Sequence, residues 1–427
     1  MIKSENSKKR ISLVLFAVLM LSYSYVCMSK YCFSSAMVFI VEEGYMTNFQ
    51  TGLISSAFWL VYALSQLFGG TIADRWHPER LVTLGLISAG IANVAVYLCY
   101  ENYTLTLVIW MLNALLQFGV WPSVFKIMLS MYSGRSLTNA MMIATLASPA
   151  GLMMSYAVAA IVPRWQDNFV VSFVGLFAAA MVWELASLGS RGYIKSLELT
   201  ESKHSNKAED KQDDKNKITM LKLILVSGLM FIFALAFMRA VIEYMKSFVP
   251  SMISDAYDKV DSSMSTVMTL IPLFCGAAAP IFSNLLSKKI ENEMRVLTII
   301  FSVMLPVSFI SLFLGKINYW FIIAAMGLVT FGAGAATFFI TTLIAAKFNK
   351  WGKGATVAGL LNAFSATGNV AASALFTWIA DSYSWSWSLV AMILFIAAAL
   401  AVSIIVLPIW KRFKKNYYYE KEQIQNG

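Results

Sequence analysis

Arg239 lies inside FIFALAFMRAVIEYMKSFVP, the apolar stretch from Phe231 to Pro250, which is long enough to cross a bilayer. A guanidinium keeps its proton there. A charge near the hydrocarbon centre costs about 2.5 to 3.5 kcal/mol on insertion scales, so such residues face a bundle interior and mark the path of an ion or a charged substrate. Glu243 and Lys246 follow at i+4 and i+7, which puts all three on one helical face. The chemistry on offer is binding of an anion. Glu243 is expected to pair with Lys246 or another basic neighbour and to tune the site rather than to bind an anion itself. Lys30 sits deep in the first apolar run as Arg239 does in the seventh, and each is followed nine residues on by a phenylalanine, Phe39 and Phe248. A cation at matched depth in each half is what a pseudo-symmetric transporter with a midplane site shows. The alternative for Lys30 and Lys246 is that their long stems reach out to the membrane interface.

The elements that must position these residues are membrane spans. Of the 427 residues 59% are hydrophobic and 13% charged, with mean hydropathy +0.67, far from the roughly 25% charge of a soluble domain. Apolar runs fall near 11–41, 50–72, 81–100, 103–132, 137–162 and 168–190, and again near 218–250, 262–286, 295–315, 318–346, 354–380 and 387–410. The first is too long for a signal-peptide core and lacks a small-residue cleavage site, so it is retained as a span. Between the sets lies RGYIKSLELTESKHSNKAEDKQDDKNK, charged and poor in large apolar residues, the composition of a solvated linker. The fold expected is an all-α membrane protein with twelve transmembrane helices in two pseudo-symmetric six-helix bundles, 1–190 and 218–410, with a cytoplasmic linker at 191–217 and a cytoplasmic tail at 411–427.

A net charge of +10 would suggest nucleic acid for a soluble chain. Here 25 of the 33 Lys and Arg fall in the termini, the linker and alternate loops, whereas the opposite loops hold only Arg164, Lys259 and Lys316. This is the positive-inside pattern. It places both termini in the cytoplasm, makes the cell (inner) membrane the expected location and the lipid bilayer the expected surroundings, and removes the nucleic-acid reading. Cys27, Cys32, Cys99 and Cys275 lie in or beside apolar segments without metal or disulfide spacing. The two histidines, His77 and His204, lie outside the spans. No enzyme motif, metal site or cofactor site is expected, and the protein is expected to act as a monomer. The polar stripe of Asn362, Ser365 and Asn369 in the eleventh run either bridges helices or lines a wet cavity. Glu184 and Glu243 are the acidic groups that could carry protons.

The segment GGTIADRWHPER, Gly69 to Arg80, resembles the G-x-x-x-D-R signature between the second and third helices of the major facilitator superfamily. In that setting Gly70 allows close helix packing. Asp74, followed by Arg75, would meet the positive N-terminal end of a helix near Gly352 to Thr356 and act in gating. The D-R-x-x-P form made by Asp74, Arg75 and Pro78 is similar to the organophosphate:phosphate antiporters. So are FSSAMVFIVEEGY (Phe33 to Tyr45), WPSVFKIM (Trp121 to Met128), FMRAVIEY (Phe237 to Tyr244) and the eleventh-span segment from Gly354 to Trp385.

That resemblance implies a substrate phosphate held by two cations, here Lys30 in the place of one arginine and Arg239 as the other. It also implies site tyrosines at Tyr23 and Tyr62, whose alternative is interfacial or packing aromatics. Lys126 matches a basic position and Glu243 an acidic one, and Asn362 is a further candidate for substrate binding. The glycerol-3-phosphate transporters of the family carry a fifth-helix histidine, a second-helix lysine and an eleventh-helix tyrosine. Here Ala147, Gln66 and Ala366 stand in their places, so glycerol 3-phosphate is not the expected substrate. The function implied is secondary transport of a small organic anion, a phosphate ester exchanged for inorganic phosphate. The alternatives are a transporter-like sugar-phosphate sensor and a proton- or sodium-coupled organic-acid carrier.

Overall fold

The computed structural model describes residues 5–132, 134–189, 220–257, 260–287, 292–351 and 353–419, and among them every regular element is a helix. The expected linker at 191–217, Gly352, the end of the tail, and the side chains of Gly70, Asp74 and Arg75 lie outside the described residues. Nine of the described helices are long and apolar enough to span a membrane, and the bent pair Met220–Ser227 and Leu229–Ala256 makes a tenth. Asn48–Arg75 and Gly354–Ser382 complete a set of twelve spans. At 1.5 Å rise per residue each is long enough for a hydrocarbon core of about 30 Å. The backbone divides into two compact units, Met1–Asp213 with Ser262–Val267, and Asp214–Asp261 with Met268–Gly427.

The two units are built alike, and small repeated devices show it. Asn102 caps the fourth span by accepting from the Leu105 N–H at 3.0 Å, and Asn318 caps the tenth by accepting from the Trp320 N–H at 3.0 Å. Each cap satisfies an amide that the first helical turn leaves without a partner. In the fifth span Gly151 lies so close to the first that a Cβ would stand 2.4 Å from the Ser24 carbonyl oxygen. In the eleventh, Gly368 presses on the seventh, where a Cβ would stand 2.5 Å from the Phe237 carbonyl oxygen. Phe39 and Phe248, the residues paired by sequence, pack on Trp165 and Trp385 with ring centroids 6.3 and 5.5 Å apart. Small residues let helix backbones approach where no hydrophobic effect drives association.

Among the described residues, the fourth, seventh and tenth spans depart from regular helix within their length. The fourth breaks between Leu116 and Val120. Pro122 has no N–H to offer the Phe118 carbonyl, and Gln66 of the second span donates its side-chain amide to that oxygen at 3.2 Å. The seventh bends by 74° at Gly228, whose φ of +72° is the left-handed conformation that glycine adopts without strain. The tenth passes after Thr337 into a π-helical stretch, Phe338–Ile344, a widening that recurs at functional sites.

Candidate functional site

In the first unit, the first span delivers Lys30 and Tyr23 to the same wall, seven residues and two turns apart. Lys30 is 7% exposed, so it does not extend to an interface. Its Nζ donates to the Tyr62 hydroxyl of the second span at 2.9 Å. It stands 4.2 Å from the centre of the Tyr62 ring and 5.8 Å from that of Tyr23. Tyr23 is itself buried and packs at a tilt on Trp121 of the fourth span with ring centroids 5.1 Å apart, and Tyr62 lies parallel to Phe58 at 6.1 Å. Ring quadrupoles and one phenol oxygen hold the ammonium in place. Among the described residues no carboxylate forms an ion pair with it, and the Tyr62 hydroxyl is its hydrogen-bond partner. Ala147 is buried in the core cluster that contains Tyr23 and Cys27.

In the second unit, the helix Leu229–Tyr244 and the 3-10 turn Met245–Phe248 carry Arg239, Glu243 and Lys246 into one cluster. Arg239 is 5% exposed. Its Nη1 pairs with Glu243 Oε2 and donates to Thr337 Oγ1 at 2.6 Å. Lys246 Nζ reaches Glu243 Oε1 at 2.7 Å, so Glu243 serves both cations, and Lys246 is drawn inward rather than out to an interface. Thr337 donates its own proton to the Ala333 carbonyl at 2.9 Å, leaving its oxygen to accept from the arginine. The Nε–H of Arg239 is buried and meets no acceptor among the described residues.

Thr337 is the residue that sequence reasoning missed. It sits 98 positions from Arg239, directly after the small-residue run Gly332 to Ala336, which reads as packing. A lone threonine ending such a run was the available signal. Gln66 carries the break in the fourth span instead of presenting a cation. Lys126 is half-buried on the segment after that break. Asn362 is exposed, Asn369 is half-buried, and Ser365 returns its hydroxyl to the Leu361 carbonyl at 2.9 Å, so the polar stripe does not act as one hydrogen-bonded unit. Glu184 accepts from the Thr83 hydroxyl at 2.9 Å.

The sequence model of the Major Facilitator Superfamily matches residues 19–358. The chain belongs to the major facilitator superfamily. It is a multi-pass membrane protein of that fold. A bacterial homologue of the human lysosomal transporter Spinster, inward-facing and occupied, matches its fold with a TM-score of 0.75 and 13% identity over 93% of this chain and 97% of that one. The same homologue unoccupied gives 0.73 and 13% over 94% and 98%. At that identity the likeness is one of fold. Among curated proteins, a probable hexose phosphate transport protein of Chlamydia trachomatis is 25% identical over 119 residues, 28% of this chain and 26% of the relative. The membrane sensor protein UhpC of Escherichia coli K12 is 26% identical over 113 residues, 26% of each chain. Each match therefore spans about a quarter of the relative's length.

Proposed function

We propose that this superfamily member is a secondary transporter that exchanges a phosphate ester for inorganic phosphate by alternating access, with Lys30 and Arg239 as its anion-binding cations. The observation that supports the reading is the charge left over in the two units. Lys30 carries one positive charge with no carboxylate partner among the described residues, and Arg239 and Lys246 share the single carboxylate of Glu243. One positive charge is thus uncompensated in each cluster. A phosphate monoester carries about −1.5 to −2 near pH 7, the kind of partner that such a cation takes. An uncompensated cation is costly to enclose without a counter-ion, which favours exchange of one anion for another over return of the empty carrier. The partial similarity to a hexose phosphate transport protein points to the same class of substrate. The basic loops support a cell-membrane location with both termini in the cytoplasm.

A second reading, a sugar-phosphate sensor, draws on the similarity to the membrane sensor protein UhpC. Purified protein in liposomes preloaded with phosphate separates the two. A transporter shows counterflow of labelled phosphate driven by one or more phosphate esters in a panel that also holds carboxylates. A sensor binds the ester without flux, and counterflow driven by carboxylates alone would assign an organic-acid carrier instead.

A further inference from the structure

We propose that Glu243 is a built-in competitor for the substrate anion at Arg239, and that Lys246 is the partner that draws it aside when the anion arrives. The proposal rests on the reading above that Arg239 binds the anion. Glu243 spreads its two oxygens over two cations, Oε2 on Arg239 and Oε1 on Lys246 at 2.7 Å. Arg239 is left half served, because its Nε–H is buried without an acceptor among the described residues. An unmet donor on a buried charged group is expensive, so the guanidinium retains a reason to take a second anion. That anion would crowd the carboxylate, since two negative charges on one guanidinium repel at close range.

The local backbone provides for the exchange. Lys246, in the 3-10 turn Met245–Phe248, follows Glu243 of the preceding helical turn by three residues and reaches it at 2.7 Å, the spacing at which side chains are neighbours on a helix. Thr337 Oγ1 accepts from Arg239 Nη1 at 2.6 Å and lies 3.5 Å from Glu243 Oε2. The arginine therefore keeps one neutral partner when the carboxylate swings toward the lysine. Lys246 acts in this scheme as a positioning residue, through Glu243, and makes no contact with the anion.

The test is the affinity of the full-length purified protein for inorganic phosphate at one salt concentration, in wild type, Glu243→Gln, Lys246→Met, the double variant and Arg239→Ala, with the phosphate-induced thermal shift read in parallel. Glu243→Gln is expected to bind phosphate about tenfold tighter, the scale of one charge-assisted hydrogen bond, and to show the larger thermal shift. Lys246→Met is expected to bind about tenfold weaker, because the carboxylate then stays on Arg239. The double variant is expected to match Glu243→Gln. Should Glu243→Gln be unstable, Glu243→Asp, which shortens the reach to Arg239 and keeps the charge, is expected to tighten binding as well. Unchanged or weaker binding in both Glu243 variants would overturn the competitor role. Weaker binding by the double variant than by Glu243→Gln would overturn the role of Lys246 and make it a direct ligand. Wild-type affinity in Arg239→Ala would instead remove the site on which the proposal stands.

Discussion

The side-chain amide of Gln66 donates to the carbonyl of Phe118 across 3.2 Å, at the place where Pro122 leaves that oxygen without its helical donor. A residue that reads in sequence as a lost lysine of the binding site thus has a structural task. It closes a break in the fourth span that the proline creates, inside a membrane where water is not at hand to do so.

Replacing Gln66 with Leu keeps the volume and removes the donor. The expected cost is about 1 kcal/mol, the net worth of one hydrogen bond, and up to about 3 kcal/mol if the carbonyl is left dry. Thermal unfolding of the detergent-solubilised variant checks this. An unchanged midpoint would mean that another group already serves the carbonyl.

The tyrosine beside Lys30 separates hydrogen bonding from ring contact. Tyr62→Phe keeps the aromatic face and deletes the hydroxyl that accepts from Nζ at 2.9 Å. Phosphate affinity is expected to change by about twofold to tenfold, the range for one hydrogen bond of about 0.5 to 1.5 kcal/mol. Equal affinity for both proteins would place Tyr62 outside the binding machinery.

Lys30→Arg replaces the buried ammonium of the first unit with a guanidinium. A guanidinium offers a bidentate fork where an ammonium is a point charge, so phosphate is expected to bind about fivefold to thirtyfold tighter, roughly 1 to 2 kcal/mol. Flux is expected to fall, because release slows. Unchanged affinity in Lys30→Arg and in Lys30→Ala would remove Lys30 from the site.

The paired glycines make a prediction about the fold. Gly151→Val and Gly368→Val each force a side chain against backbone of the neighbouring span, where even a Cβ would come within 2.4 and 2.5 Å. Each is expected to lower stability by about 1 to 3 kcal/mol or more, the usual cost of overpacking. Gly359→Ala, whose Cβ would meet nothing within 4 Å, is expected to be neutral or slightly stabilising. Unfolding midpoints for the three variants decide it, and equal midpoints would contradict the packing described.

How far the sequence could be read differs by feature. Spans are legible because hydrocarbon admits few polar groups, whereas proline alone does not mark a break: the fourth span breaks ahead of Pro122, yet Pro149, Pro272, Pro280 and Pro306 lie within continuous helices. The bend at Gly228 was hidden, since one glycine in the apolar run from Leu221 to Phe237 is compatible with straight helix as well as with a kink. The π-helical stretch after Thr337 carries no compositional mark. Arg239, Glu243 and Lys246 were grouped by periodicity within one helix. Thr337 could not join them, because contact between the seventh and tenth spans is a property of packing. The resemblance put Tyr62 near Lys30 in function, whereas the bond between them required coordinates.

Whether Arg239 holds the transported anion is decided by phosphate-driven counterflow in liposomes reconstituted with wild type and Arg239→Ala at equal amounts of folded protein. Wild type is expected to exchange labelled phosphate for a phosphate ester. Arg239→Ala is expected to lose that exchange and its phosphate affinity while keeping a monodisperse elution profile, because Glu243 retains its ion pair with Lys246 when the arginine is removed. Exchange by Arg239→Ala at the wild-type rate and affinity would show that the anion is held elsewhere.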